Sequence, residues 1–197
     1  MTQPKLFMLL LGCKPKGRNT EQHDVFFGIA NELKELIPAI KQFWPEAAGE
    51  IHIDAWREVN YVDGFSKRVA EKMAPANTES SKKKDHDLFF INLGGYKENE
   101  FDEFHYKMLV VAGSFDAAKA AAKATGFFKH TTLGKSVNTR SATSHIDDKF
   151  GVDVDDLYSI KDIISPALKE KYSISIGPGD SNKEDIMNLG YFRLKDL

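Results

Sequence analysis

The chain has 197 residues, of which 42% are hydrophobic and 28% are charged, and its formal net charge is -2. This length fits one large domain or two small ones, and the nearly balanced charge excludes a general electrostatic attraction to nucleic acid or to an acidic membrane. The single cysteine, Cys13, excludes an intrachain disulfide. No apolar run approaches the roughly 20 residues that a membrane-spanning helix needs.

The first predicted element is the apolar run at residues 6–11, which ends at Gly12 and Cys13. The letters LLLGC resemble the cleavage site of a bacterial lipoprotein signal, which would place the protein outside the cytoplasm with a lipid on Cys13. However, this run is shorter than the about 7–15 apolar residues of a secretory signal, and a similar run, LFFINLGG, begins at Leu88 in mid-chain. We therefore predict a buried first strand, a buried and unreactive Cys13, and an unanchored cytoplasmic protein with no membrane partner.

The run at Leu88 belongs to a longer internal repeat, in which identical residues recur at a shift of 82 positions without a gap. The matched pairs are Leu6/Leu88, Phe7/Phe89, Leu11/Leu93, Gly12/Gly94, Glu21/Glu103, His23/His105 and Ala30/Ala112. After a longer connection in the second copy, HID at His52 is matched with HID at His145, now at a shift of 93. A repeat of this length predicts two similar units that share one core.

Each copy is predicted to continue with a second strand, a helix and a closing strand. HDVFFGIA and FHYKMLVVAG are rich in β-branched and aromatic residues, which favours a strand antiparallel to the first. Asn31 and Ser114 are the predicted N-caps of the helices that follow. Pro38 is expected to kink or restart the first helix, and Gly126 is expected to end the second. A β-α-β alternative, in which the helix starts earlier, remains open.

IHIDAWREV and SHIDDKFGV are the predicted closing strands, and turns at residues 62–64 and 154–156 follow them, each leading to a further short strand. The first repeat unit is assigned to residues 1–73, a polar linker to 74–87 and the second repeat unit to 88–160. Residues 161–197, with YSISIG as an edge strand and LGYFRL as a last strand, form an extension that completes the sheet. The predicted fold class is therefore α+β, with two tandem β-β-α-β(-β) repeats in a pseudo-twofold arrangement and mixed or antiparallel sheets packed with helices.

Histidine and carboxylate residues recur at matched places of the two copies. The candidate ligand-binding residues are Glu21, His23, His52, Asp54, Glu103, His105, His145 and Asp147. Because residues i and i+2 of a strand point to the same face, each Glu-x-His and His-x-Asp pair presents two groups to one place. Imidazole and carboxylate suit a divalent-metal site, or a histidine base oriented by an acid. The favoured interpretation is nonetheless structural, with each histidine hydrogen-bonded inside the duplicated scaffold; ligand contact ranks second and metal binding or catalysis third.

Three longer strings carry a resemblance to a known family. EQHDVFFGIANELKELIPAIKQFWPEA, HIDAWREV and INLGGYKENEFDEFHYKMLVVA resemble the domain-of-unknown-function 1543 family over about residues 5–160, with the domain in two tandem copies. The resemblance implies no assigned activity, so no catalytic residue is transferred. The two copies differ at Trp56 against Lys149 and at Cys13 against Gly95.

Two classes of function follow from these observations. The first is a soluble, non-catalytic module that binds a small molecule or a protein and forms a homodimer, since no recognised catalytic signature is present. The alternative is a metal-assisted hydrolase or isomerase that uses the Glu-x-His and His-x-Asp sets, and a divalent metal is the one cofactor considered. Nucleic acid is not an expected partner, and whether the protein is an enzyme stays open.

Overall fold

The structure, a computed structural model, describes residues 3–47, 50–72, 86–96, 101–125 and 152–197. Within these ranges every paired strand is antiparallel to its neighbour, and the strands form one four-stranded and two three-stranded sheets. Residues 1–79 and 163–197 make up unit 1, and residues 80–162 make up unit 2. The predicted α+β class is confirmed, while the tandem-repeat layout stays a prediction.

The elements follow one another in three stretches of the chain. Unit 1 begins with β1 (Lys5–Cys13), β2 (Gln22–Ala30), a 3-10 helix (Leu33–Leu36), α1 (Ile37–Phe43), a 3-10 helix (Pro45–Ala47), β3 (His52–Glu58), β4 (Tyr61–Val62) and β5 (Phe65–Glu71). Next come β6 (Asp87–Tyr96), β7 (Glu103–Ala112), α2 (Phe115–Lys123), β8 (Val152–Ser159) and α3 (Ile160–Ile163). The chain then returns to unit 1 with α4 (Pro166–Lys171), β9 (Tyr172–Pro178), β10 (Asn188–Arg193) and a 3-10 helix (Leu194–Asp196).

Strand β1 lies inside the four-stranded sheet of unit 1, whose order is β10-β3-β1-β2. Its leucines suit this place: Leu9 and Leu11 are fully buried in one core with Ile40. Cys13 ends the strand and is also buried. Burial raises the pKa of its thiol, and the negative charge of Glu21 adds to the shift. The prediction of a buried first strand with a buried Cys13 is confirmed.

A proline shapes the connection between β2 and β3. The chain first forms a 3-10 turn and then starts α1 at Ile37, with Pro38 in the first helical turn, where its missing N–H leaves no hydrogen bond unmade. The predicted restart of the helix is confirmed. The prediction of Asn31 as an N-cap is wrong: Glu32 holds the cap position, and the Asn31 N–H instead donates to Glu35 Oε2 at 3.0 Å. No helix in the described ranges is long and apolar enough to cross a membrane.

Unit 2 contains a three-stranded sheet of order β7-β6-β8 with α2 against it. Ser114 caps α2, because its side chain accepts the N–H of Ala117 at 3.2 Å, as predicted. Ala118 and Ala122 are fully buried in the core of this unit, since their small side chains let the helix approach the sheet closely. The helix ends at Lys123, and the predicted stop at residue 126 lies outside the described residues.

The closing strand of unit 2 comes later in the chain than the sequence predicts. Strand β8 begins at Val152 and pairs with β6 in the way that β3 pairs with β1. The predicted strand at 144–152 lies outside the described residues except for its last position, as does nearly all of the predicted linker. The predicted turn at 154–156 is wrong, since these residues lie within β8 and Val154 packs on the core, in the alternation of a half-buried strand.

The third sheet belongs to unit 1 and has the order β4-β5-β9. Strands β4 and β5 are joined by Asp63 and Gly64, both with positive φ (53° and 77°), so the predicted turn at 62–64 is confirmed. Lys67 lies on β5, and burial lowers the pKa of its ammonium group from 10.5 to about 8, although the negative charges of Glu58 and Asp185 oppose the shift. A fall of this size means that charged Lys67 costs the native state roughly 3 kcal/mol at neutral pH.

Lys67→Met is therefore expected to raise the free energy of unfolding at pH 7 by roughly 1–3 kcal/mol. Below about pH 8 the folded wild-type protein bears the cost of a charged Lys67. This cost is relieved as the pH rises from about 8 to 10.5, because folded Lys67 is then neutral while the unfolded chain still binds the proton. Urea unfolding of the wild type, Lys67→Met and the exposed control Lys195→Met checks this. A gain that does not shrink with rising pH would contradict the assignment.

Candidate metal centre

Gly12, near the end of β1, is the point around which the candidate residues of unit 1 gather. In the antiparallel register Gly12 lies opposite His23 of β2 on one side and opposite His52 of β3 on the other. Residues that lie opposite one another in a sheet point to the same face. Both imidazoles therefore project on one face, across a residue that has no side chain.

Strand β3 contributes one extra residue at this level. Its register with β1 shifts between Leu10 and Leu11, which leaves Asp54 without a partner on β1. An extra residue in one strand bends that strand and changes the direction of the side chain. The carboxylate of Asp54 lies 3.1 Å from His52 Nε2 through one oxygen and 3.3 Å from His23 Nε2 through the other.

Glu21, the residue before β2, completes the group. Its Oε1 lies 2.9 Å from His52 Nε2, and its Oε2 lies 3.7 Å from His23 Nε2. The structure thus brings all four candidate residues of unit 1 together: Glu21, His23, His52 and Asp54. We call this group the unit 1 cluster.

The unit 1 cluster is buried on one side and open on the other. The side chain of His52 is 5% exposed, whereas those of Glu21 and His23 are 43% and 42% exposed. Within the described residues, neither ring nitrogen of His52 nor Oδ2 of Asp54 has a hydrogen-bond partner. The nitrogen lies close to the carboxylates but lacks the alignment that a hydrogen bond requires. A buried polar atom without a partner costs about 1–3 kcal/mol, which a bound ligand would recover.

Tyr191 covers His52, with the ring centroids 4.1 Å apart and the planes at 31°. It comes from β10, whose register with β3 shifts between Leu189 and Phe192. Gly190, within this irregular stretch, has a φ of 151°, which residues with a side chain rarely adopt. Sequence analysis missed Tyr191, because no local pattern links it to a histidine so far away in the chain.

Unit 2 repeats this backbone arrangement with different residues. Gly94 of β6 lies opposite His105 of β7 and opposite Asp153 of β8. A register shift again occurs, and Asp155 is the extra residue of the closing strand, with no residue of β6 opposite it. Asp155 therefore occupies the place in unit 2 that Asp54 occupies in unit 1.

Glu103, His105 and Asp155 lie together and form what we call the unit 2 cluster. One potential ligand atom from each lies within 4.8 Å of the other two, and His105 Nε2 is 3.3 Å from Asp155 Oδ2. His145 and Asp147 lie outside the described residues, so their role stays a prediction. Sequence analysis missed Asp155; the signal that could have found it is the Asp-x-Asp at 153–155, which flanks an apolar residue as HID does.

Comparisons with known proteins concern the family and the fold. A family model described as "Domain of Unknown Function (DUF1543)" matches residues 18–69, which include the whole unit 1 cluster. No curated protein matches the sequence. Among solved structures, the protein Il1583 from Idiomarina loihiensis is similar over 97% of each chain, with a TM-score of 0.61 and 20% sequence identity. At this identity the similarity establishes a shared fold.

Proposed function

Since the chain belongs to the DUF1543 family through residues 18–69, a segment that contains the whole unit 1 cluster, we propose that this domain is a non-catalytic, cytoplasmic binding module whose ligand is a divalent cation. The family description names no activity, so the proposal rests on the cluster itself. The observation that carries it is the buried imidazole of His52. Its Nε2 has no hydrogen bond to any described residue, although carboxylate oxygens lie 2.9 Å and 3.1 Å away.

The spacing of the donor atoms supports a cation. Two donors that each lie about 2.0–2.1 Å from a tetrahedral zinc ion are about 3.4 Å apart. The nitrogen–oxygen distances within the unit 1 cluster run from 2.9 to 3.7 Å. Each histidine–carboxylate pair therefore has the spacing of two ligands of one cation. Among the described residues, three ligand atoms that all lie within 4.8 Å of one another occur only in Glu103, His105 and Asp155, so a cation in the unit 1 cluster would have to draw its side chains closer together.

The chemistry of the donors points the same way. The carboxylates of Glu21 and Asp54 offset the charge of a divalent cation, and two imidazoles beside them suit zinc, cobalt or nickel. A purely structural role, the interpretation favoured from sequence, predicts that each histidine is hydrogen-bonded. The nitrogens of His52 do not meet that expectation in the described residues.

Metal-assisted hydrolysis is the second candidate function, and the open side of the cluster favours it. Glu21 and His23 are each more than two-fifths exposed, so a cation held there would face solvent, as catalytic metal sites require. The test is hydrolysis of an activated ester by zinc-loaded wild-type protein. Activity that is lost in zinc-loaded His52→Phe would favour a catalytic role over binding alone.

His52→Phe is expected to weaken zinc binding by the unit 1 cluster at least about a hundredfold, because loss of a direct ligand should cost no less than the 10–100-fold typical of outer-shell changes. Phenylalanine keeps a ring beneath Tyr191 but removes the donor nitrogen. Isothermal titration with zinc measures the effect, and both proteins carry Asp155→Asn so that the unit 2 cluster does not contribute.

Glu46→Gln is the control for a substitution outside the cluster, since Glu46 is exposed; it should bind zinc like the wild type. Thermal melting of the metal-free proteins shows whether each variant is folded. Uptake of none of zinc, cobalt and nickel by the wild-type protein would overturn the proposal. Equal zinc affinity in a folded His52→Phe variant would overturn it as well.

A further inference from the structure

We infer that the unit 2 cluster is a second cation site and that it favours a harder cation, of the Mn²⁺ or Mg²⁺ class, than the unit 1 cluster does. The inference rests on the proposed function, because both clusters are interpreted through the same coordination chemistry. It adds a second site, a different donor set and a different ligand class.

The first line of evidence is that the two clusters are built on the same backbone device. Each lies over a glycine of the inner strand, and in each the carboxylate of the extra residue of the closing strand, Asp54 or Asp155, lies beside that glycine. A Cβ on Gly94 would overlap the carboxylate of Asp155, just as one on Gly12 would meet the carboxylate of Asp54. The absence of a side chain at Gly94 therefore leaves the space in which the donors of unit 2 meet.

The second line of evidence is the change in donor type. The residue opposite Gly12 on the closing strand is His52, whereas the residue opposite Gly94 is Asp153. The unit 1 cluster contains two imidazoles, and the unit 2 cluster contains one, that of His105. Imidazole suits zinc, nickel and copper, while carboxylate oxygens suit magnesium, calcium and manganese. Both clusters contain two carboxylates, so the loss of one imidazole raises the share of carboxylate donors in unit 2 and shifts the preference toward the harder cations.

The third line of evidence is exposure. The side chains of His105 and Asp155 are 36% and 33% exposed, against 5% for His52. Magnesium and manganese in protein sites usually keep several water ligands. A site with fewer protein donors, of which neither His105 nor Asp155 is buried, accommodates such a hydrated cation, whereas the enclosed imidazole of His52 favours a cation that binds with less water.

The test uses the full chain and two silencing variants, His52→Phe for unit 1 and Asp155→Asn for unit 2. Electron paramagnetic resonance counts bound Mn²⁺, and isothermal titration gives zinc affinity. We expect His52→Phe to retain one Mn²⁺ site and Asp155→Asn to lose it. Asp156→Asn is the matched control, since Asp156 is the next residue of β8 and bonds to Asn92 instead of joining the cluster.

A comparison of the two units and a donor exchange provide a second test. The zinc-to-manganese affinity ratio of unit 2, measured in His52→Phe, is expected to be at least about tenfold lower than that of unit 1, measured in Asp155→Asn. In the Asp155→Asn background, His52→Asp should lower the same ratio for unit 1.

Loss of all Mn²⁺ binding in a folded His52→Phe variant would overturn the second site, and an equal zinc-to-manganese ratio in the two units would overturn its different preference. In either case, tight zinc binding by Asp155→Asn would still support the proposed function of unit 1. No zinc binding by Asp155→Asn, together with Mn²⁺ binding by His52→Phe, would instead contradict the proposed function and retain the site in unit 2.

Discussion

Gly12→Ala is expected to weaken zinc binding by the unit 1 cluster at least about tenfold, although it removes none of the four donors. A Cβ on Gly12 would lie 2.5 Å from Asp54 Oδ2 and 2.5 Å from His52 Nε2, so one or both groups must move. His52 is buried and in ring contact with Tyr191, which limits where it can go. Isothermal titration with zinc, again with Asp155→Asn in both proteins, measures the loss.

Gly177→Ala is the control for the general effect of a methyl group on a strand glycine. Gly177 lies on β9 of the same unit, and a Cβ there meets no atom within 4 Å. This variant should bind zinc like the wild type. Unchanged zinc affinity in Gly12→Ala would contradict a site whose donors meet over Gly12.

Ile53→Ala is expected to lower the free energy of unfolding of unit 1 by about 3 kcal/mol, within the 2–5 kcal/mol typical of such truncations. Ile53 is 0% exposed and lies in the core, while its neighbours His52 and Asp54 turn to the other side of the strand. The loss combines the buried methyl groups with the cavity that they leave. Thermal melting should show a decrease of roughly 6–12 °C.

Ile53→Val keeps the β-branch and removes one methyl group, so its cost should be about 0.5–1.5 kcal/mol. The two variants together separate the effect of volume from any disturbance of the cluster. A cost below 1 kcal/mol for Ile53→Ala would mean that β3 does not anchor the core through this residue.

The elements that the sequence predicts correctly are those whose formation depends on residues close together in the chain. Examples are the apolar runs of β1 and β6, each followed by glycine, and the cap at Ser114. Asn31 failed as a cap because the 3-10 helix begins at Leu33, one residue later than predicted, so that Glu32 holds the cap position. The turn predicted at 154–156 failed because packing of Val154 on the core outweighs the turn preference of its aspartate neighbours.

The candidate site was predictable only in part, for a reason that concerns strand register. The alternation of side chains along β2 and β3 places the pairs of unit 1 on one face, which sequence analysis uses. The alternation does not reveal that each closing strand carries one extra residue, which has no residue opposite it on the inner strand. These extra residues are Asp54 and Asp155, and the register shift turns their side chains toward the clusters. The match of His145 with His52 relies on identical letters, whereas the pairing puts Asp153 opposite Gly94.

The return of the chain to unit 1 through β9 and β10 affects how the protein matures during translation. Because synthesis proceeds from the N-terminus and domains fold as they emerge, all of unit 2 leaves the ribosome before the strands that complete two sheets of unit 1. Until then β3 and β5 each expose an unpaired edge, and Tyr191 has not reached His52. We therefore expect unit 1, whose translation begins first, to be the last to complete its sheets and the contact between Tyr191 and His52.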